Sequence, residues 1–78
     1  MDKDILKKNI VDLEQTGENL KTLRSQKGLT VKDLCNILNI TINSIYKWES
    51  GRAVPSIDNL VFLSSLYEVP LDSLVARK

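Results

Sequence analysis

The sequence predicts an all-α domain of five short helices. Three observations carry this reading. Helix-capping residues recur along the chain, each followed by apolar residues three and four positions apart. A Gly, Asn or Pro closes most of these runs. No segment alternates apolar and polar residues with the period of two that a half-buried strand requires. The 78 residues suffice for one core and not for a second domain.

Each element has its own signals. Asp12 is placed to cap the first helix, with Gln15 three residues on to complete a capping box. Leu13, Gly17, Leu20 and Arg24 follow at helical spacing, with Leu23 alongside. Gly28 suits the left-handed position just past a helix end. Thr30 caps the second helix, where Asp33 complements the positive end of the dipole. That helix carries Leu34, Cys35 and Leu38, and Asn39 after it tolerates a left-handed turn. Thr41 caps the third helix, which runs through Ile45, Trp48 and Glu49 to Gly51. Pro55 keeps the residue before it out of helical geometry, so residues 52–55 form a connector. Ser56 caps a fourth helix whose inward stripe is Leu60, Leu63, Ser64 and Tyr67. Pro70 restarts the chain for a short fifth helix with Leu71, Leu74 and Val75.

Composition excludes whole classes of chemistry. There is no His and one Cys, Cys35, so neither a zinc site nor an internal disulfide is expected. A histidine-based catalytic triad is impossible, and a lone thiol without an activating base is a poor nucleophile. The chain is read as a non-enzyme without cofactor or metal. No apolar run approaches a membrane span, and the N-terminus lacks a signal-peptide core, so a cytoplasmic location is expected. Eleven Lys+Arg against ten Asp+Glu leave a net charge of +1, which by itself points to no polyanion. Any such partner must be argued from where the charges sit.

The second and third helices are joined by Asn39 and Ile40, with Thr41 as the next cap. That spacing describes a helix-turn-helix. Cys35 supplies a small residue where the helices approach, Asn39 the left-handed turn, and Ile40, Ile45 and Trp48 the apolar lock behind the second of the pair. Around this motif the chain resembles the Cro/C1, or Xre-like, helix-turn-helix family. The matching residues run from Gly17-Glu18-Asn19-Leu20-Lys21-Thr22-Leu23-Arg24 through Gly28-Leu29-Thr30 and Asp33-Leu34-Cys35. They continue through Ile45-Tyr46-Lys47-Trp48-Glu49-Ser50-Gly51 and Pro55-Ser56 to Leu60, Leu63, Val69 and Leu74. The stretch Trp48-Glu49-x-Gly51-x-x-x-Pro55 is the most specific.

The resemblance implies a five-helix domain over 12–78 that binds duplex DNA, usually as a homodimer on a palindromic operator. It implies that the third helix enters the major groove. Outward positions there are Ile42, Asn43, Ser44 and Lys47. Asn43 suits an adenine edge, Lys47 guanine O6/N7, and Ile42 a thymine methyl. Backbone contacts fall to Thr30, Val31 and Lys32 at one helix start, Thr41 at the next, and Arg52 beyond Gly51. Arg24 and Glu49 are implied to pair, tying the first helix to the end of the third. The chain departs from the family pattern at four positions. Cys35 replaces the usual Ala, Asn39 the usual Gly, Val31 a polar phosphate contact and Ile42 a polar base reader.

Two functions therefore compete. One is a sequence-specific transcriptional regulator, in the first instance a repressor. The other is an antitoxin-like or adaptor module that keeps the fold for protein contacts, favoured by the low net charge, Val31 and Ile42. Residues 1–11 lack a place in the helical scheme and form an N-terminal extension. Their apolar residues, Ile5, Leu6, Ile10 and Val11, suit packing on the fourth helix beside Phe62 and Leu66. Their cations, Lys3, Lys7 and Lys8, suit a basic arm on DNA.

Overall fold

The computed structural model describes residues 10–78. The order is β1 (Val11–Asp12), α1 (Leu13–Gln26), α2 (Val31–Leu38), α3 (Ile42–Glu49), α4 (Ile57–Tyr67), a 3-10 turn (Leu71–Ser73) and β2 (Ala76–Arg77). Among the described residues the domain is thus all-α in its bulk, with four helices where five were expected.

All four helices start at the residues whose side chains were placed as caps. Asp12 accepts the Gln15 N–H at 3.0 Å, but the Gln15 amide bonds Asn19 one turn on instead of reaching back. The reciprocal box forms at α2. There Thr30 accepts from Asp33 N–H, and the Asp33 carboxylate accepts from Thr30 N–H at 2.9 Å. Thr41 and Ser56 cap α3 and α4. Gly28, Asn39 and Gly51 all adopt positive φ. So does Glu68 (φ 56°), which no sequence signal marked. Its N–H is taken by the Ser64 and Ser65 carbonyls, and the Ser64 hydroxyl donates to the Val69 carbonyl beyond it.

The core consists of Leu20, Leu34, Ile45, Trp48, Leu60, Leu63, Tyr67 and Leu74. Ile45 and Leu74 are wholly buried, so α3 is held from behind along its Ile45–Trp48 stripe. Cys35 is half-buried rather than buried, and Leu66 packs against the core rather than standing outside it. α1 and α3 meet almost backbone to backbone. A Cβ added at Gly17 would lie 2.6 Å from the Glu49 carbonyl oxygen and 2.7 Å from that of Trp48. No side chain fits at that crossing.

The fifth helix is corrected to a single 3-10 turn. Pro70 opens it, and the Ser73 and Leu74 N–H groups bond the carbonyls three residues back. The chain then extends into β2, which pairs antiparallel with β1, Val11 opposite Arg77 and Asp12 opposite Ala76. Two-residue strands are too short to show a period of two, so no alternation marks them. Leu74, just after this turn, belongs to the core and is wholly buried. The pairing is anchored at Thr16, 1% exposed, whose hydroxyl accepts the Ala76 N–H at 2.9 Å. Of the N-terminal extension, Ile10 is half exposed and Val11 pairs with Arg77 rather than with α4. The expectations for Lys3, Ile5, Leu6, Lys7 and Lys8 lie outside the described residues.

Candidate nucleic-acid interface

α2 and α3 are joined by a turn that Asn39 makes possible. Its left-handed backbone (φ 56°, ψ 49°) reverses the chain, and the Ile40 N–H then returns to the Cys35 carbonyl at 3.1 Å. α3 emerges with two unlike sides. Ile45 and Trp48 are buried, while Ile42, Asn43, Tyr46 and Lys47 are exposed. Ser44 is half-buried. Its N–H donates to the Thr41 hydroxyl at 3.3 Å, and the two hydroxyls lie 3.2 Å apart. Both side chains are thereby engaged with each other at the cap.

The Arg24 guanidinium grips the Glu49 carboxylate with two hydrogen bonds, Nε–Oε2 at 2.7 Å and Nη2–Oε1 at 3.0 Å. Its remaining nitrogen donates to the Leu29 carbonyl at 2.9 Å. The two side chains are only 12% and 9% exposed. This fork fixes the end of α3 to α1 and to the loop that leads into α2 at once. The Glu49 hydrogen bond outweighs partial burial and raises the Arg24 pKa above its already high ordinary value.

Beyond α3 the chain turns through Gly51 (φ 79°), and the Arg52 and Ala53 N–H groups close on the Lys47 carbonyl. Arg52 is held by its Nε–H to the Ser50 hydroxyl at 3.2 Å. It lines an open groove with Lys21, Arg24, Val31, Tyr46, Glu49 and Ser50. Arg24 and Glu49 cancel within their pair, so Lys21 and Arg52 leave the groove positive. It can accept an anion.

The expected site residues are therefore only partly gathered. Val31 and Arg52 share the groove, flanked by the Arg24–Glu49 pair. Ile42, Asn43 and Lys47 stand on the open face of α3, and Thr30, Lys32 and Thr41 are exposed at the helix starts. The two helix starts differ electrostatically. At α2 the Asp33 carboxylate occupies the first turn, and the Thr30 hydrogen bonds hold its pKa below the ordinary value, so it stays charged. The first turn of α3 has no acidic residue. Of the two, α3 presents the better anion-binding end. Lys21 was missed as a site residue, although it lies three positions before Arg24 and so on the same helical face. Among the described residues no cluster of His, Cys, Asp or Glu suits a metal ion, and no helix is long and apolar enough to cross a membrane.

The sequence model of the helix-turn-helix domain family matches residues 17–78. The chain is 36% identical over 60 residues to the HTH-type transcriptional activator BcrR of Enterococcus faecalis, covering 77% of this chain and 29% of that protein. It is 36% identical over 61 residues to the HTH-type transcriptional regulator ImmR of Bacillus subtilis, covering 78% of this chain and 48% of that one. The chain thus spans less than half the length of either relative. Among solved structures it is similar to the restriction-modification controller protein C.AhdI of Aeromonas hydrophila. The TM-score is 0.70 at 25% identity, over 81% of this chain and 96% of that one. The DNA-binding domain of BldD shares the fold, with a TM-score of 0.68 at 23% identity over 82% of this chain and 93% of that one.

Proposed function

The chain belongs to the helix-turn-helix family, of the Cro/C1 (Xre-like) type, and from that premise we propose that it binds duplex DNA sequence-specifically and regulates transcription. The observation that carries this is the outer face of α3. Asn43 and Lys47 are free there, on a helix braced by Ile45, Trp48 and the Arg24–Glu49 fork, beside a groove that Lys21 and Arg52 make positive. α3 lies in the major groove, with Asn43 and Lys47 reading base edges. Arg52 and Lys21 hold one backbone phosphate, and the start of α3 at Thr41 holds a neighbouring one. Thr30, Val31 and Lys32 approach the same strand from α2, less strongly because of Asp33. Regulation is negative when the bound site overlaps a promoter, and its setting is the cytoplasm, where the DNA is.

The protein works as a homodimer on a palindromic operator. What supports this is α4, whose outward side carries Ile57, Val61 and Phe62, exposed by 66%, 51% and 46%. Ile57 and Val61 stand one turn apart, and a second copy covers them. Val61→Glu is expected to shift the sedimenting species from dimer to monomer with the helices intact. An unchanged sedimentation coefficient rejects this surface.

The experiment that tests the function is selection of bound sequences from a random duplex pool. A palindrome should emerge, with half-sites about one helical turn apart. Lys47→Ala should relax preference at one base position, and Arg52→Ala should weaken all sequences alike and lower the salt slope by about one. The low net charge of +1 favours the competing interaction-module reading. An unenriched pool and no salt-sensitive binding would establish that reading instead.

A further inference from the structure

We infer that Ile42 and Tyr46 form an apolar ridge on α3 that reads the C5-methyl group of a pyrimidine, so that the protein selects its duplex partly by that methyl. This rests on the DNA-binding reading above and adds to the expectation for Ile42 a second ridge residue, Tyr46, and a dependence of duplex choice on the methyl, whether carried by thymine or by 5-methylcytosine.

Helical spacing divides the open face of α3 into two stripes. Residues 42 and 46 are one turn apart and stack; residues 43 and 47 stack beside them. The second stripe is polar, Asn43 and Lys47. The first is not: Ile42 is 46% exposed and Tyr46 49%. Tyr46 also lines the groove with Lys21 and Arg52, so the ridge runs from the start of α3 toward the expected phosphate.

The cap engages the polar side chains at this end of the helix. The Thr41 hydroxyl accepts the Ser44 N–H and lies within hydrogen-bonding distance of the half-buried Ser44 hydroxyl, so the two are held against each other and leave one O–H between them. Ile42 is then the first outward side chain of α3. It has no polar atom and cannot bond a base edge. The major groove offers an aliphatic side chain one matching group, the C5-methyl that thymine carries and cytosine does not. Against unmethylated cytosine the same side chain displaces water from the N4 amino donor and returns no acceptor, so the contact also selects negatively. A protein partner fits this ridge poorly. Two side chains fall far short of the roughly 800 Å² per partner of a stable interface, and the charged Lys47 stands alongside.

One methyl group sets the expected size. At about 0.8 kcal/mol per buried carbon group, its loss weakens binding about fourfold. The test takes the duplex enriched by random-pool selection and replaces each thymine in turn by deoxyuridine, which keeps the base pair and removes only the methyl. Binding is followed by fluorescence anisotropy. Wild type should lose about fourfold at one position in each half-site. Ile42→Ala should bind the thymine and deoxyuridine duplexes there equally, while its responses elsewhere match wild type. Asn43→Ala should keep the methyl response. With cytosine at that position, 5-methylation should recover about the same fourfold for wild type and nothing for Ile42→Ala. Ile42 is exposed at the first helical position, so the variant folds, which circular dichroism verifies. Specific binding with identical deoxyuridine responses in wild type and Ile42→Ala at every position overturns the inference and leaves DNA binding standing. An unenriched pool overturns both.

Discussion

Gly17→Ala sets two effects of opposite sign against each other. Ala is the better helix former by about 0.8–1.0 kcal/mol in a helix interior, and Gly17 lies inside α1. On propensity alone the change stabilises. The crossing with α3 forbids it. The new methyl would sit 2.6 Å from the Glu49 carbonyl oxygen, 2.7 Å from that of Trp48 and 2.9 Å from the Glu49 carbonyl carbon. All three are backbone atoms of α3, held by the Arg24 fork and the buried Trp48, so no flexible side chain can yield. Overpacking a fitted site costs about 1–3 kcal/mol, and contact with fixed backbone belongs at the top of that range. The net expectation is a loss of about 2 kcal/mol, which lowers Tm by roughly 8–16 °C for a domain of this size. Gly28→Ala is the control. Its Cβ would meet nothing within 4 Å, and only its φ of +76° resists substitution, at about 1–2 kcal/mol. Calorimetry of both variants separates space from conformation. A second observable follows from the geometry. Gly17→Ala must push α3 away from α1, so its DNA affinity should fall even at temperatures where the protein is fully folded, whereas Gly28→Ala should bind as wild type. A Gly17→Ala variant with a Tm equal to or above wild type would refute the close-approach argument, because propensity would have prevailed.

Three further outcomes can be measured. Arg24→Met leaves the Glu49 carboxylate, 9% exposed, without its partner and should cost about 3 kcal/mol in urea unfolding; the double variant with Glu49→Leu should cost much less than the summed single losses, and strict additivity would contradict the pairing. Thr16→Val strands the Ala76 N–H and should cost about 1–2 kcal/mol, with faster hydrogen exchange at Ala76 as its signature; unchanged exchange there would remove the anchoring role of Thr16. Burial first, and the Glu49 charge second, push the Tyr67 phenol up to about 12. The unfolded chain therefore ionises first as pH rises past 10, so stability present below pH 10 declines between 10 and about 12. Absorbance titration in a Tyr46→Phe background reads this directly, and a midpoint near 10 contradicts it.

Much of this architecture was legible because local rules act on single residues. Asp12, Thr30, Thr41 and Ser56 announce helix starts by chemistry alone, and Gly28, Asn39 and Gly51 announce turns by the φ they tolerate. What stayed hidden depends on residues far apart. Gly17 keeps helical spacing with its neighbours, but its necessity comes from a carbonyl 32 positions on, at Glu49. Thr16 looks like an ordinary helical Thr until Ala76 arrives beside it. Glu68 is left-handed where the Val69 N–H closes back on the Ser64 carbonyl and the Ser64 hydroxyl donates to the Val69 carbonyl, contacts that Glu68's own residue type does not announce. The site follows the same division. The outward set on α3 can be read from helical period, whereas Lys21 and Tyr46 join Arg52 only because α1 and α3 cross where they do.

The pairing of β1 with β2 bears on the order in which the molecule assembles. The Thr16–Ala76 bond spans 60 residues, against 25 for the Arg24–Glu49 fork. Closing the longer loop from an open chain costs about 0.8 kcal/mol more, and the reward is a two-residue ladder. The fork and the α1–α3 crossing can form while the last residues are still free. The closing strand then docks onto an α1 already held in place, and by the same reasoning it is the first part to detach when the fold loosens. The α2–α3 pair, the Arg24 fork and the positive groove take no part in the Thr16–Ala76 bond to β2, so the surface proposed to face DNA belongs to the early-forming part of the molecule and tolerates fraying of β2.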